Sequence, residues 1–226
     1  MTKSLWWENG QKVEWSLGKI VCVGRNYADH AAELNNPVPE QPLLFMKPAT
    51  AYSEVTSSVK LPVSKGSLHY ETELALLIGK PLSINSGIKP TEAIVGIGLA
   101  LDLTFRDIQA ELKKKGHPWE RAKAFDGSCP ITKFVHFDSS WSLEDIEFYC
   151  WINGNLRQHG VTKDMLFSAT ALLENIKTEF TLLPGDVVLT GTPAGVGELK
   201  GSEVIRLMLQ HKQTKLIDQT FSTSAE

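Results

Sequence analysis

His69-Tyr70-Glu71-Thr72-Glu73-Leu74-Ala75-Leu76-Leu77-Ile78 runs into Gly79-Lys80-Pro81. An unbroken apolar run ending on a Gly/Pro stop predicts a buried β-strand. Side chains alternate along a strand, so Glu71 and Glu73 fall on one face with His69 and Ala75. Two neighbouring carboxylates at the head of a buried strand repel each other and lose hydration. A divalent cation compensates that charge best. An E-x-E pattern alone equally describes a half-exposed edge strand with two solvated glutamates, so the rest of the chain decides.

Ile94 to Leu103 is the most apolar strand candidate and carries one charge, Asp102. Gly98 and Ala100 share its face, and small neighbours let another strand, or an ion with its ligand, approach closely. An aspartate ending so apolar a run is hard to solvate, which makes it the natural third partner of Glu71 and Glu73. Thr104-Phe105-Arg106-Asp107 then has the form of a capping box with Asp in place of Glu. The helix it opens runs to about Lys115 and stops at Gly116, with Pro118 beyond. Phe105, Ile108 and Leu112 form its core stripe. Arg106 and Gln109 lie off that stripe, one turn apart, where they face either a site centred on Asp102 or solvent. Lys113-Lys114-Lys115 suits the negative end of the helix dipole.

Around these stretches the chain reads as strands, turns and short helices. Residues 5–16 carry Trp6, Trp7 and Trp15 among polar neighbours, a hairpin through Asn9-Gly10 packed on the domain surface. Lys19 to Val23, Leu43 to Lys47 and Val59 to Val63 are strands. Ala28 to Leu34 forms one or two helical turns that Asn35-Asn36-Pro37 breaks. Within that turn His30 and Glu33 stand three apart and touch, as a surface pair of little consequence would also do. Trp119 to Pro130 is a loop rich in functional residue types, Lys123 among them. Phe148 to Ile152 turns through Asn153-Gly154 into Asn155 to Gln158. A helical stretch runs from Thr162 to Ile176, and Val187 to Thr190 is a buried strand. Gly191-Thr192-Pro193-Ala194-Gly195-Val196-Gly197 lacks the Gly-Lys-Ser/Thr of a nucleotide loop. It suits a tight turn whose amides and Thr192 hydroxyl meet an anion. Val204 to Gln210 and Lys215 to Phe221 close the chain.

Composition narrows the function classes. The 226 residues are 42% hydrophobic, enough for a sizeable core, and the formal net charge is −3. They suit one domain, residues 19–226, with a short segment, residues 1–18, packed on it. No long basic run or aromatic–basic interleaving points to nucleic acid. The longest apolar run is too short to cross a bilayer, and no signal-peptide core opens the chain. Cys22, Cys129 and Cys150 are few and widely spaced, which fits a reducing compartment, read as cytoplasmic, and no zinc framework.

Several motifs together resemble the fumarylacetoacetate hydrolase family. They are Val23-Gly24-Arg25-Asn26-Tyr27-Ala28-x-His30, Leu44-Phe45-x-Lys47-Pro48, His69-Tyr70-Glu71-x-Glu73-Leu74-Ala75 and Leu101-Asp102-Leu103-Thr104-x-Arg106-Asp107-x-Gln109. Ala122-Lys123-x-Phe125-Asp126, Leu182-x-Pro184-Gly185-Asp186 and Leu189-Thr190-Gly191-Thr192-Pro193 complete the set. The likeness is greatest to the short, single-domain branch with acylpyruvases and oxaloacetate decarboxylases. It implies an α+β, β-rich fold, a mixed β-roll or sandwich with a few flanking helices, usually a homodimer. It also implies that Glu71, Glu73 and Asp102 bind Mg²⁺ (or Mn²⁺ or Ca²⁺), in keeping with three hard oxygen ligands. His30 and Glu33 become a catalytic dyad and Lys123 a stabiliser of enolate charge. Arg25, Arg106, Gln109 and Thr192 hold a small 2-oxo acid.

The leading expectation is a metal-dependent C–C bond hydrolase of acylpyruvates such as acetylpyruvate or fumarylpyruvate. Water activated by His30 and Glu33 attacks, and pyruvate leaves as a metal-bound enolate. The alternatives are oxaloacetate decarboxylase, keto–enol tautomerase and 2-hydroxymuconate-type isomerase of aromatic catabolism. A non-enzymatic oxo-acid binder is the rival class, against which the dyad argues, since binding alone needs no general base.

Overall fold

The computed structural model describes residues 2–34, 36–62 and 65–225. The chain opens with β1 (Ser4–Trp6), β2 (Lys12–Ser16), β3 (Ile20–Gly24), α1 (Ala28–Glu33) and β4 (Leu43–Lys47). Next come β5 (Tyr52–Glu54), β6 (Ser58–Leu61), β7 (Leu68–Tyr70), β8 (Thr72–Ile78) and β9 (Ile94–Leu101). Then follow β10 (Thr104–Phe105), α2 (Arg106–Lys115), α3 (Glu120–Lys123), β11 (Cys129–Ile131) and β12 (Val135–His136). The last third holds β13 (Ile146–Ile152), β14 (Asn155–Val161), α4 (Ala169–Glu179), β15 (Val187–Leu189), β16 (Gly197–Glu198), β17 (Val204–His211) and β18 (Thr214–Ala225).

An eight-stranded mixed sheet runs β4-β3-β15-β8-β9-β11-β5, with β12 also on β9. Its β15–β3 and β11–β5 pairs are parallel and the others antiparallel. A five-stranded sheet, β14-β13-β17-β18-β6, shares one core with it, and β10-β7-β16 forms a small third sheet. The expected β-rich α+β architecture is therefore present, with four short α-helices among the described residues.

The uninterrupted apolar character of β8 follows from burial on both faces of the large sheet. Leu74, Leu76 and Ile78 meet Leu99, Leu101, Phe148, Leu207 and Leu172 of α4 on one side. Ala75 and Leu77 turn the other way, towards Ile20, Cys22, Ala100, Val187 and the N-terminal hairpin. That hairpin does more than cover the surface. Leu5, Trp7 and Val13 are buried, and the Trp7 ring fills the space where a Cβ on Gly96 would sit, 2.7 Å away.

The opening stretch is not one strand. β7 pairs within the small sheet and β8 within the large one, so the chain changes sheets at Glu71, which belongs to neither. The strand from Ile94 likewise ends at Leu101, one residue short of Asp102. The Asp102 amide donates to the Glu71 carbonyl at 2.8 Å, joining the two breaks. The capping box does not form: Thr104 pairs in β10 and its hydroxyl donates to the Asp102 carbonyl. Helix α2 starts after Phe105 without a side-chain cap and ends at Gly116 in left-handed backbone. The expected loop 119–130 contains α3, which carries Lys123. Strand β6 ends at Leu61; Asn35 and Val63, included in the expected helix break and strand, lie outside the described residues.

Candidate active site

The alternation of β8 sets the site. Glu73 follows the Ala75–Leu77 face to the end of the sheet, where it lies opposite Ala100, two residues before Asp102. Facing oxygens of Glu71, Glu73 and Asp102 all lie within 4.8 Å of one another, and all three residues are buried. Three carboxylates this close need cations. Lys123 donates to Glu71 Oε2 at 2.8 Å and to Asp102 Oδ2 at 2.6 Å. Arg106 donates to Glu71 Oε1 and, at 2.8 Å, to Gln109 Oε1.

Lys47 completes the cage and had no role in the sequence reading. It is fully buried, with Nζ 2.8 Å from Asp102 Oδ1. It donates to the Lys123 carbonyl and, at 3.1 Å each, to the carbonyl and hydroxyl of Ser128. A lone charge ending the apolar run Leu43–Met46 is the same signal that exposed Asp102.

The electrostatics divide the carboxylates. Burial pushes Glu71 up, but Lys123, then Arg106, more than reverse this and hold it below the usual carboxylate range. Glu73 is raised well above that range by burial, then by Asp102 and Glu71. Its one hydrogen bond among the described residues comes from the Gly191 amide, 2.6 Å from Oε2. Asp102 Oδ1 is buried and accepts no hydrogen bond in spite of its ion pair with Lys47. A carboxylate without its own cation and a carboxylate oxygen with free lone pairs fit a hard divalent ion.

His30 is 4% exposed on α1 and faces the cleft. Its Nδ1 lies 3.5 Å from Glu33 Oε2, close enough for an ion pair but without a hydrogen bond. Burial lowers its pKa, with Glu71 and Glu33 partly opposing, so the imidazole is neutral at pH 7. Glu33 accepts from the Gly195 amide with both oxygens, at 3.1 and 3.2 Å, which ties α1 to the loop after β15. That loop is held in turn by Tyr70, whose hydroxyl donates to the Gly195 carbonyl, and by buried Gln158. Gln158 donates to the Thr192 hydroxyl at 2.8 Å and to the Pro193 carbonyl at 2.9 Å, and accepts from the Thr72 amide. No local pattern marked Gln158, which sits mid-strand in β14. The Thr192 hydroxyl donates to the Thr72 carbonyl, so its remaining lone pair faces the site.

The cleft over the cage is narrow, with a cavity volume of about 30 Å³, and brings together Arg25, His30, Glu71, Arg106, Lys123 and Thr192. Glu73 and Gln109 also line it; Glu33 and Asp102 do not. Lys113 and Trp119 line its outer part, beyond the residues named from the sequence. A larger cleft of about 390 Å³ beside the start of α4 has no cationic side chain in its lining and none of this chemistry.

Residues 19–218 match the model of the fumarylacetoacetate (FAA) hydrolase C-terminal domain. The chain belongs to the fumarylacetoacetate hydrolase family. It is 44% identical over 195 residues to oxaloacetate tautomerase YcgM of Escherichia coli, spanning 86% of this chain and 89% of that one. To the mitochondrial oxaloacetate tautomerase FAHD1 of Bos taurus it is 43% identical over 193 residues, 85% and 87% of the two chains. Fumarylpyruvate hydrolase of Pseudomonas aeruginosa, solved with Mn²⁺ and pyruvate, superposes with a TM-score of 0.88 at 32% identity, covering 100% of this chain and 97% of that one. The family member is thus a metal-dependent enzyme acting on small oxo acids. No helix among the described residues is long and apolar enough to cross a membrane.

Proposed function

We propose that this enzyme is an oxaloacetate keto–enol tautomerase, working as a homodimer with a divalent ion, Mg²⁺ first and Mn²⁺ or Ca²⁺ as alternatives. The observation that carries this reading is the 44% identity, over 86% of the chain, to an oxaloacetate tautomerase. It promotes the alternative of the sequence reading above the acylpyruvate hydrolase. Glu71, Glu73 and Asp102 would hold the ion, which when bound supplies Lewis-acid polarisation of the 2-oxo acid's oxygens.

The chain's own part is a proton transfer. With Nδ1 turned to Glu33, His30 Nε2 is left to take a proton from C3 of oxaloacetate. The C–H electron pair becomes the C2=C3 double bond, the C2=O π pair moves onto the oxygen, and that oxygen takes a proton from the His30 imidazolium or from water; the reverse path regenerates the keto form. No atom is gained or lost. Neutral His30 can accept the proton at pH 7, and Glu33 steadies the imidazolium that results. The Lys123 ammonium stabilises negative charge on the C2 oxygen. Arg25, Arg106, Gln109 and Thr192 orient the substrate's carboxylate and carbonyl groups.

Acylpyruvate hydrolysis is the second reading, favoured by the likeness to the P. aeruginosa enzyme bound to Mn²⁺ and pyruvate. In that case His30 would take its proton from water. One assay separates them. Purified protein with Mg²⁺ should hasten the loss of enol absorbance from fresh oxaloacetate, and EDTA should abolish the effect. Enol decay at the buffer rate, together with cleavage of acetylpyruvate or fumarylpyruvate, would replace the first reading by the second.

A further inference from the structure

Helix α2 carries a third polar residue in line with the Arg106–Gln109 pair. Lys113 follows them at the helical spacing i, i+3, i+7, which places all three on one face. The face climbs about 10 Å from Arg106 to Lys113. Its lower end is engaged, since Arg106 is bonded to Glu71 and Gln109. Its upper end is free: Lys113 has no ion pair among the described residues, and Nζ stands 5.1 Å above the Trp119 ring. Lys114 and Lys115, which the dipole explains as well, are exposed, whereas Lys113 is half-buried in the cleft lining.

Arg25 lines the same cleft. It too lacks an ion pair among the described residues, and its buried Nε has no hydrogen-bond partner. Its backbone is left-handed (φ 60°), an uncommon state for a side chain of this size and one that clusters at ligand sites. Two unpaired cations therefore share the cleft with the cage.

We propose that Lys113, with Arg25, binds the distal carboxylate of the substrate and so selects 2-oxo diacids over 2-oxo monoacids. This rests on the tautomerase reading for the identity of the diacid, but the selector itself is a statement about binding. Its physical basis is charge-assisted hydrogen bonding from ammonium and guanidinium groups in a half-buried cleft. The surroundings favour a ligand anion. Burial first, then the charges of Arg25, Arg106 and Lys123, lower the Lys113 pKa to about 8, against the opposing Glu71. The two cations repel each other when the cleft is empty, and a carboxylate between them relieves that repulsion.

Malate and lactate separate the selector from catalysis, because they share a 2-hydroxy-acid head, differ in the distal carboxylate and do not react. Titration calorimetry of the Mg²⁺-loaded protein should give malate an affinity about tenfold or more above lactate, the worth of one charge-assisted hydrogen bond. Lys113→Gln should collapse that ratio towards one without changing lactate affinity, and Lys113→Arg should keep it. Wild-type malate affinity should fall between pH 7 and 9.5 as the ammonium is lost, and the Lys113→Arg protein should not share that fall. A malate preference that survives Lys113→Gln, or no preference in the wild type, overturns the proposal. Enol oxaloacetate decaying at the buffer rate while the malate ratio behaves as stated would instead overturn the tautomerase reading and leave the selector standing.

Discussion

Single residues here act through what surrounds them. Lys47 holds Asp102, the Lys123 carbonyl and Ser128 at once from a fully buried position. Lys47→Met would match its length but leave Asp102 Oδ1 without its cation and several buried acceptors unpaired. Breaking a buried pair from one side costs about 3–5 kcal/mol, so urea unfolding should show a loss of that size. A loss under about 1 kcal/mol would mean that solvent or Lys123 takes over. His30 supplies the pH test. Burial lowers its pKa from 6.5, so the neutral base persists below that value and is protonated only in more acidic solution. The acid limb of kcat/KM should therefore lie below pH 6.5. A limb above it would mean that the surrounding carboxylates outweigh burial.

At the scale of elements, the site depends on breaks in secondary structure. β7 and β8 are separated by Glu71, β9 stops before Asp102, and α1 is tied to the loop after β15 through Glu33 and the Gly195 amide. Gly195 has φ +96°, and a Cβ there would stand 1.9 Å from the Arg157 carbonyl oxygen. Gly195→Ala must displace the loop and release Glu33 from its amide. If the proposed tautomerase reaction is measured, kcat should fall by about tenfold or more, part of the roughly 10²- to 10⁴-fold that a general base is worth. Oxalate, which needs only the cage and its cations, should bind nearly as before. Equal losses in kcat and oxalate affinity would show that the loop supports the whole cleft and not the dyad.

For the whole molecule, the cage joins two sheets and two helices, α2 through Arg106 and α3 through Lys123, so an ion bound there acts on global stability. Binding to the native state alone adds about 2.7 kcal/mol at a concentration 100 times Kd. For a chain of this length that is a Tm rise of roughly 5–10 °C. Mg²⁺ should produce it, EDTA should reverse it, and Glu73→Gln should lose it. An undiminished rise in the Glu73→Gln protein would remove Glu73 from the ligand set.

Much of this was legible in the residues because burial writes a local signature. The two-sided burial of β8 appears as an unbroken apolar run, and Asp102 as a lone charge closing one. Lys47 bears the same mark at the end of Leu43–Met46, a signal that sequence reading could have used. Helical spacing put Arg106 and Gln109 together off the core stripe and, carried one turn further, reaches Lys113. The motifs in order pointed to the family.

The rest was decided by tertiary structure. Glu73 meets the Gly191 amide across 118 residues, and Glu33 meets that of Gly195 across 162. Gln158 reaches Thr192 from the other sheet, and the chain crosses between sheets at Glu71. Such contacts leave no periodic trace, because each depends on where distant strands pair and not on the alternation within one. The carboxylates, lysines and histidine were set by the sequence. Which cation serves which carboxylate, and which carboxylate is left without one, was set by the packing of the sheets.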